Sequence, residues 1–363
     1  MKERGGGRER EREREGRVWG EVFAARRVAD GGDALGIEAR AVLPRATGLS
    51  DEGVELALTE HLETAPSDAE IAALVASVEP APAAHVVLSA AVFVAAHRAL
   101  ALALAASDVV YVKPSRRDPD MVRLLARATT GSFEIVDTIA PRDEDVVFAY
   151  GSDEALAGIR AQLPASVRFR GHGTGFGVAA VELAGAPVSE FEDFATKIVR
   201  DVVPFDQRGC LSPRIVAVEG SDAQARVFSE ALAAALADAE RRVPRGQLSA
   251  DEAAQISRFR DALRYAGEIF AAGPGWVGLE NRGGPAVLAP VGRNLTVIVA
   301  DHAHRALAPL SQWITAVGIQ GSRAFADSVT EVVPHARTSV LGRMQKPPFD
   351  GPVDVRACTT IRV

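Results

Sequence analysis

The chain has 363 residues, 47% of them hydrophobic and 25% charged, with a formal net charge of -7. This size and apolar content allow two lobes or one large domain around a substantial core, and the acidic balance argues against a general nucleic-acid binder. The two cysteines, Cys210 and Cys358, cannot build a disulfide framework, which points to a reduced, cytoplasmic compartment. No apolar run reaches the eighteen or so residues of an integral membrane segment, and no apolar core marks a signal peptide at the start.

Residues 1–17 alternate Arg and Glu after a glycine run. Such low complexity with nothing to bury reads as a disordered tail. A stretch from Val18 to about Leu43 reads as strands or an arm, and Glu52 to His61 as a helix. From Asp68 onward short β-branched runs alternate with helical segments. Strands are expected at Val86–Leu88, Val109–Val112, Glu134–Val136 and Val146–Ala149, with helices over Ala95–Ala106, Asp118–Ala128 and Asp153–Leu163. That alternation is the signature of a parallel sheet with crossover helices, whose strands are apolar on both faces. A second lobe is expected from Val181. It holds a helix over Ser189–Val202, a strand at Arg214–Val218, helices over Asp222–Arg241 and Ser249–Ala271, a strand at Leu295–Ala300 and a helix over Ala303–Val317. The division is thus a tail over 1–17, an arm and dinucleotide-binding domain over 18–180, a catalytic domain over 181–341 and a C-terminal arm over 342–363.

The segment Asp206-Gln207-Arg208-Gly209-Cys210-Leu211-Ser212-Pro213 sets a cysteine on a small-residue turn between a helix and a strand, where a nucleophile would sit. A thiol attacks a carbonyl as thiolate, and Arg208 and Arg214 offer the positive charge that lowers its pKa. The plainer alternative for Cys210 is a small buried hydrophobe. Val112-Lys113-Pro114-Ser115-Arg116-Arg117-Asp118-Pro119 leaves a strand and enters a helix, at the sheet edge where cofactors bind. Lys113 would reach ribose hydroxyls or a phosphate, and Arg116 and Arg117 a further phosphate; a solvated basic turn is the alternative. Gly151 and Ser152 lie at a helix N-terminus suited to a pyrophosphate, although Ser152 also reads as a simple cap. The segment Gly171-His172-Gly173-Thr174-Gly175-Phe176-Gly177 permits close approach of a ligand but lacks the G-x-G-x-x-G spacing. His172 within it is a candidate acid or base. His302 and His304, two apart, do not face together on a helix, so no metal site is expected without additional ligands.

Taken in order, Lys113-Pro114-Ser115, Gly151-Ser152, the glycine-rich segment and Gly209-Cys210 resemble the aldehyde dehydrogenase superfamily. More narrowly, Val112 to Pro119, Phe205 to Pro213 and the tail Leu341-Gly342-Arg343-Met344-Gln345-Lys346-Pro347-Pro348 resemble the LuxC-type acyl-CoA reductases, over roughly residue 80 to the end. The resemblance implies an α/β fold of two lobes, a cofactor domain and a catalytic domain, with oligomerisation arms. It implies that Lys113 and Ser115 border the adenine ribose, that Gly151 and Ser152 lie by the cofactor, and that Cys210 is the nucleophile. Arg116 stands where hydrolytic relatives carry a ribose-binding glutamate, and an arginine suits a 2′-phosphate, hence NADPH. No glutamate occurs between Gly171 and Gly177, where those relatives hold a general base, and this fits a reductase. The expected function is reduction of a long-chain acyl-CoA to a fatty aldehyde through a Cys210 thioester, in a homo-oligomer that also meets an acyl-transferring partner protein. The superfamily's second oxyanion donor is an asparagine, whereas this chain reads Ser89-Ala90-Ala91-Val92-Phe93. With Ala91 there, a catalytically degenerate nucleotide- or acyl-binding partner subunit is the rival reading, and a reductase of acyl phosphates a third.

Overall fold

The Arg/Glu-rich start is helical rather than a tail. In the computed structural model, which describes residues 3–90, 92–129, 131–284 and 286–356, helix α1 runs over Glu3–Ala29. Arg and Glu are good helix formers, and the second half of α1 carries Val18, Val22, Ala25 and Val28 at helical spacing, all fully buried. The expected strands or arm from Val18 to Leu43 are likewise replaced, by the end of α1 and by α2 (Ala34–Thr47). Asp33 caps α2 by accepting from the Leu35 N–H at 2.9 Å, and Gly48 ends it with φ +74°. Helix α3 (Asp51–Leu56) continues as a wider turn to His61, and α4 (Asp68–Ala76) opens on a reciprocal Ser67–Glu70 capping box.

The first sheet follows, with β1 (Ala84–Val87), α5 (Ala95–Ala106), β2 (Val110–Lys113), α6 (Asp120–Thr129), β3 (Glu134–Ile135), β4 (Val146–Tyr150), α7 (Asp153–Ala161) and β5 (Arg168–His172). All its strands are parallel, in the order β3-β2-β1-β4-β5. Helix α5 is buried from Ala96 to Ala106, and beyond His97 and Arg98 its sequence is accordingly apolar all round. Helix α1 covers it, and the basic side chains that looked solvated close helix ends. Arg14 donates to the carbonyls of Ala105 (2.6 Å), Val75 (2.8 Å) and Val78 (2.6 Å), and Arg17 to that of Leu104 (2.8 Å). These carbonyls lie at the C-terminal ends of α4 and α5, where cations complement the helix dipole.

The second sheet is built from β6 (Phe176–Glu182), α8 (Phe191–Val202), β7 (Pro213–Glu219), α9 (Asp222–Arg242), α10 (Ala250–Ala266), β8 (Gly267–Ala272), β9 (Gly275–Glu280), β10 (Leu295–Ala300), α11 (Ala303–Leu307), β11 (Ile314–Gln320), α12 (Arg323–Val332) and β12 (Arg337–Val340). Its order is β12-β11-β6-β7-β10-β9-β8, parallel except for the β8–β9 hairpin. Two expected helices are shorter. The one from Ser249 ends at Ala266, because the chain turns at Gly273 (φ +65°) and pairs Gly267–Ala272 with β9. The one from Ala303 ends at Leu307, and the β-branched run from Ile314 becomes a central strand. The second sheet also starts at Phe176, a little ahead of the expected boundary at 181.

The C-terminal segment crosses back over the first sheet's helices. Arg98 donates to the carbonyls of Pro347 (3.1 Å), Pro348 (2.8 Å) and Gly351 (2.8 Å), and His97 stacks on Phe349 with ring centroids 5.1 Å apart.

Candidate active site

Cys210 sits on the turn that leads from α8 into β7, and that turn is strained. Phe205, Asp206 and Gln207 have φ of 55°, 51° and 68°, a left-handed run that costs each non-glycine residue on the order of 1 kcal/mol or more. Buried polar contacts hold it. Asp206 Oδ1 accepts from Arg293 Nε (3.1 Å) and Nη2 (2.8 Å), and its Oδ2 accepts from the Gly246 N–H (2.9 Å). Gln207 donates to the carbonyls of Pro213 (2.7 Å) and Asn294 (2.6 Å) and accepts from the Asn294 N–H (2.8 Å). On the other side Gln345 donates to Ser212 Oγ (2.9 Å) and to the Asp201 carbonyl (2.8 Å), tying the C-terminal segment to the turn. The Asp201 carboxylate receives the Gly342 N–H (2.7 Å) and the Met344 N–H (2.9 Å), and burial outweighs these bonds to raise its pKa to about 7.

The thiol environment differs from the one expected. Arg208 donates to Glu252 (2.9 Å) and to the Gln247 carbonyl (2.7 Å), and the half-buried Arg214 donates to the Ala289 carbonyl. Neither supplies charge to the sulfur. Burial pushes the Cys210 thiol up to about 12, the Asp354 carboxylate raises it further, and Arg356 works in the opposite direction. Arg356 is itself paired with Asp354 at 2.7 Å.

A cavity of about 380 Å³ opens over Cys210. It is lined from the second sheet's side by Phe205, Arg208, Gly209, Cys210 and Leu211, and from the first sheet's side by Leu88, Ser89, Tyr150, Gly151, Ser152 and His172. Its apolar wall is made by Val92, Phe93, Ala96, Ala99, Met121 and Val122. Of the residues singled out in the sequence, Cys210, His172, Gly151 and Ser152 therefore meet in one cleft. His172 ends β5 opposite Tyr150 in the register, and the rings stack at 4.8 Å. Burial lowers its pKa, which favours the neutral imidazole. Ser152 caps α7 by accepting from the Ala155 N–H at 3.2 Å.

Lys113, Ser115 and Arg116 lie outside this cavity, at the carboxyl end of β2. Ser115 Oγ accepts from the Arg117 N–H at 3.2 Å, a local turn bond. Among the described residues no side-chain hydrogen bond or ion pair engages Lys113 or Arg116. Asp118, further along this segment, lines the cavity, and its Oδ1 is buried without a partner. Burial and the nearby Asp120 raise its pKa to about 6. Ala91 and Cys358 lie outside the described residues.

The glycines of the 171–177 segment are closely approached by protein atoms, and Gly173 and Gly175 also line the cavity. A Cβ on Gly173 would fall 2.1 Å from Asp153 Oδ1, one on Gly175 2.3 Å from Thr315 Oγ1, and one on Gly177 2.2 Å from the Leu211 carbonyl oxygen. Sequence reasoning missed Asp354, Arg356 and Arg293, which meet the site only through tertiary folding. It also did not foresee that Glu219 joins His302 and His304, with one potential ligand atom from each within 4.8 Å of the others.

The fold recurs in solved structures. The γ-glutamyl-γ-aminobutyraldehyde dehydrogenase of Burkholderia cenocepacia J2315 matches 90% of this chain and 75% of its own, at 18% identity and a TM-score of 0.67. The lactaldehyde dehydrogenase of Escherichia coli matches 90% of this chain and 78% of its own, at 16% identity and a TM-score of 0.67. An oxidoreductase of Marinobacter aquaeolei matches 92% and 79%, at 12% identity and a TM-score of 0.69. No curated protein matches the sequence. The family described as acyl-CoA reductase (LuxC) matches residues 75–346. With three quarters of its length so matched and an aldehyde dehydrogenase fold, the chain belongs to the LuxC family of acyl-CoA reductases.

Proposed function

We propose that the protein reduces a long-chain acyl-CoA to the fatty aldehyde with NADPH, through a thioester on Cys210. The observation that carries this reading is the meeting of Cys210 and the neutral His172 in one cleft, beside an apolar wall and the carboxyl ends of β1 and β4. Strand order reverses between β1 and β4, the place where open α/β sheets bind nucleotides. The residues present fit such a cofactor: Gly151 and Ser152 offer the N-terminus of α7 to a pyrophosphate, and Lys113 and Arg116 are unengaged cations for the ribose and its 2′-phosphate. Bound there, NADPH supplies the hydride that takes the acyl group to the aldehyde.

The protein's own residues do the rest. Cys210 Sγ bonds to the acyl carbonyl carbon as the carbon–sulfur bond to CoA breaks, and His172 takes the thiol proton and returns it to the departing CoA thiolate. The backbone N–H of Cys210 stabilises the developing oxyanion, and Val92, Phe93, Met121 and Val122 hold the alkyl chain. Steady-state kinetics test the assignment. Arg116→Ala should raise the KM for NADPH by about tenfold, the loss of one charge-assisted phosphate contact, with little change for NADH, while Cys210→Ala should form no aldehyde. Equal effects of Arg116→Ala on both nucleotides would overturn the NADPH assignment, and aldehyde formation by Cys210→Ala would overturn the thioester.

A further inference from the structure

Two histidines outside the cleft meet a carboxylate because His302 lies extended just ahead of the helix that carries His304. His302 follows β10 with φ -143° and ψ 112°, an extended conformation, and its ring stacks on that of His304 with centroids 5.3 Å apart. Strand β7 is the parallel neighbour of β10 and ends in register at Glu219, which places the carboxylate beside both rings. Among the described residues, Glu219, His302 and His304 form the one group of three whose ligand atoms lie within 4.8 Å of one another. Glu219 Oε1 accepts the Ala303 N–H at 2.6 Å, which orients the carboxylate and leaves Oε2 available. His304 Nδ1 is buried with no hydrogen-bond partner, an orphan that calls for one. The nearby Arg282 does not compete for the carboxylate, since Asp222 (3.0 Å) and Asp301 (2.8 Å) already hold it.

We propose that Glu219, His302 and His304 bind a divalent transition-metal ion of the zinc class. Two imidazoles and a carboxylate are a donor set that borderline cations favour over magnesium or calcium. None of the three lines the cleft over Cys210, so the ion is structural: it clamps the carboxyl ends of β7 and β10, and β7 begins directly after the Cys210 turn.

The test is calorimetric titration of the full chain with zinc, with thermal unfolding in parallel. Both are made in a Cys210→Ala background so that this thiol cannot bind the metal. The expected result is one zinc per chain and a Tm that rises with zinc, because an ion bound only by the folded state stabilises it. His302→Ala/His304→Ala should weaken binding by more than about tenfold and abolish the rise in Tm. The exposed His302→Ala alone, which keeps the half-buried His304 in place, should also weaken it. No binding to the parent, or equal affinity and an equal Tm shift in His302→Ala, would overturn the site.

Discussion

Cys210 is held with its proton on. Its thiol is pushed up to about 12 by burial and by Asp354, against the pull of Arg356. The sign of the resulting pH dependence is fixed: thiolate is the deprotonated form, so a raised pKa leaves little of it near neutrality. Alkylation of Cys210 by iodoacetamide should therefore accelerate by about tenfold per pH unit through pH 10 without levelling off. A plateau near pH 8 would contradict this environment. Asp354→Asn removes the carboxylate that raises the thiol and leaves Arg356 to lower it, so alkylation at pH 8 should quicken by about threefold per unit of pKa lowering, once the weaker intrinsic nucleophilicity is included. The turn that carries Cys210 was legible in the sequence, as Gly209 and Ser212 interrupt the pattern between a helix and a strand, and the fold brings it and His172 to one cleft. The charge on the sulfur was not, since the arginines adjacent in sequence turn to Glu252 and the Ala289 carbonyl, while Asp354 and Arg356 arrive from the far end of the chain.

Elements in this protein are decided by burial more than by composition. The charged start of α1 looked solvated, yet Arg14 and Arg17 satisfy helix-end carbonyls of α4 and α5 while Val18, Val22, Ala25 and Val28 enter the core. Arg14→Ala should lower stability to urea by about 2 kcal/mol, as removal of a charged donor from partly buried carbonyls does. The exposed Arg10→Ala should leave the midpoint unchanged, and equal midpoints for the two variants would contradict the role of Arg14. The parallel strands of the first sheet were legible because strands covered on both faces are continuous apolar runs. The β8–β9 hairpin and β11 were not, although Gly267 and Pro309 interrupt the helical segments there, because their apolar runs also fit a helix and only their partners in the sheet distinguish the two.

At the scale of the molecule, the cleft exists because two sheets end at one place. The switch between β1 and β4 offers strand ends and the N-terminus of α7, and the second sheet delivers Cys210 on a strained turn braced by Arg293, Asn294 and Gln345. The C-terminal segment closes the arrangement by joining Asp201 and Ser212 to the helices of the first sheet. No helix among the described residues is long and apolar enough to cross a membrane. The most direct measurement is the intact mass of the purified protein after incubation with a long-chain acyl-CoA, with and without NADPH, beside a folded Cys210→Ala control. The expected result is a single acyl adduct on Cys210 that disappears when NADPH is added and is recovered as aldehyde. A folded protein that gains no adduct, or a Cys210→Ala variant that still gains one, would contradict a thioester route through this cysteine.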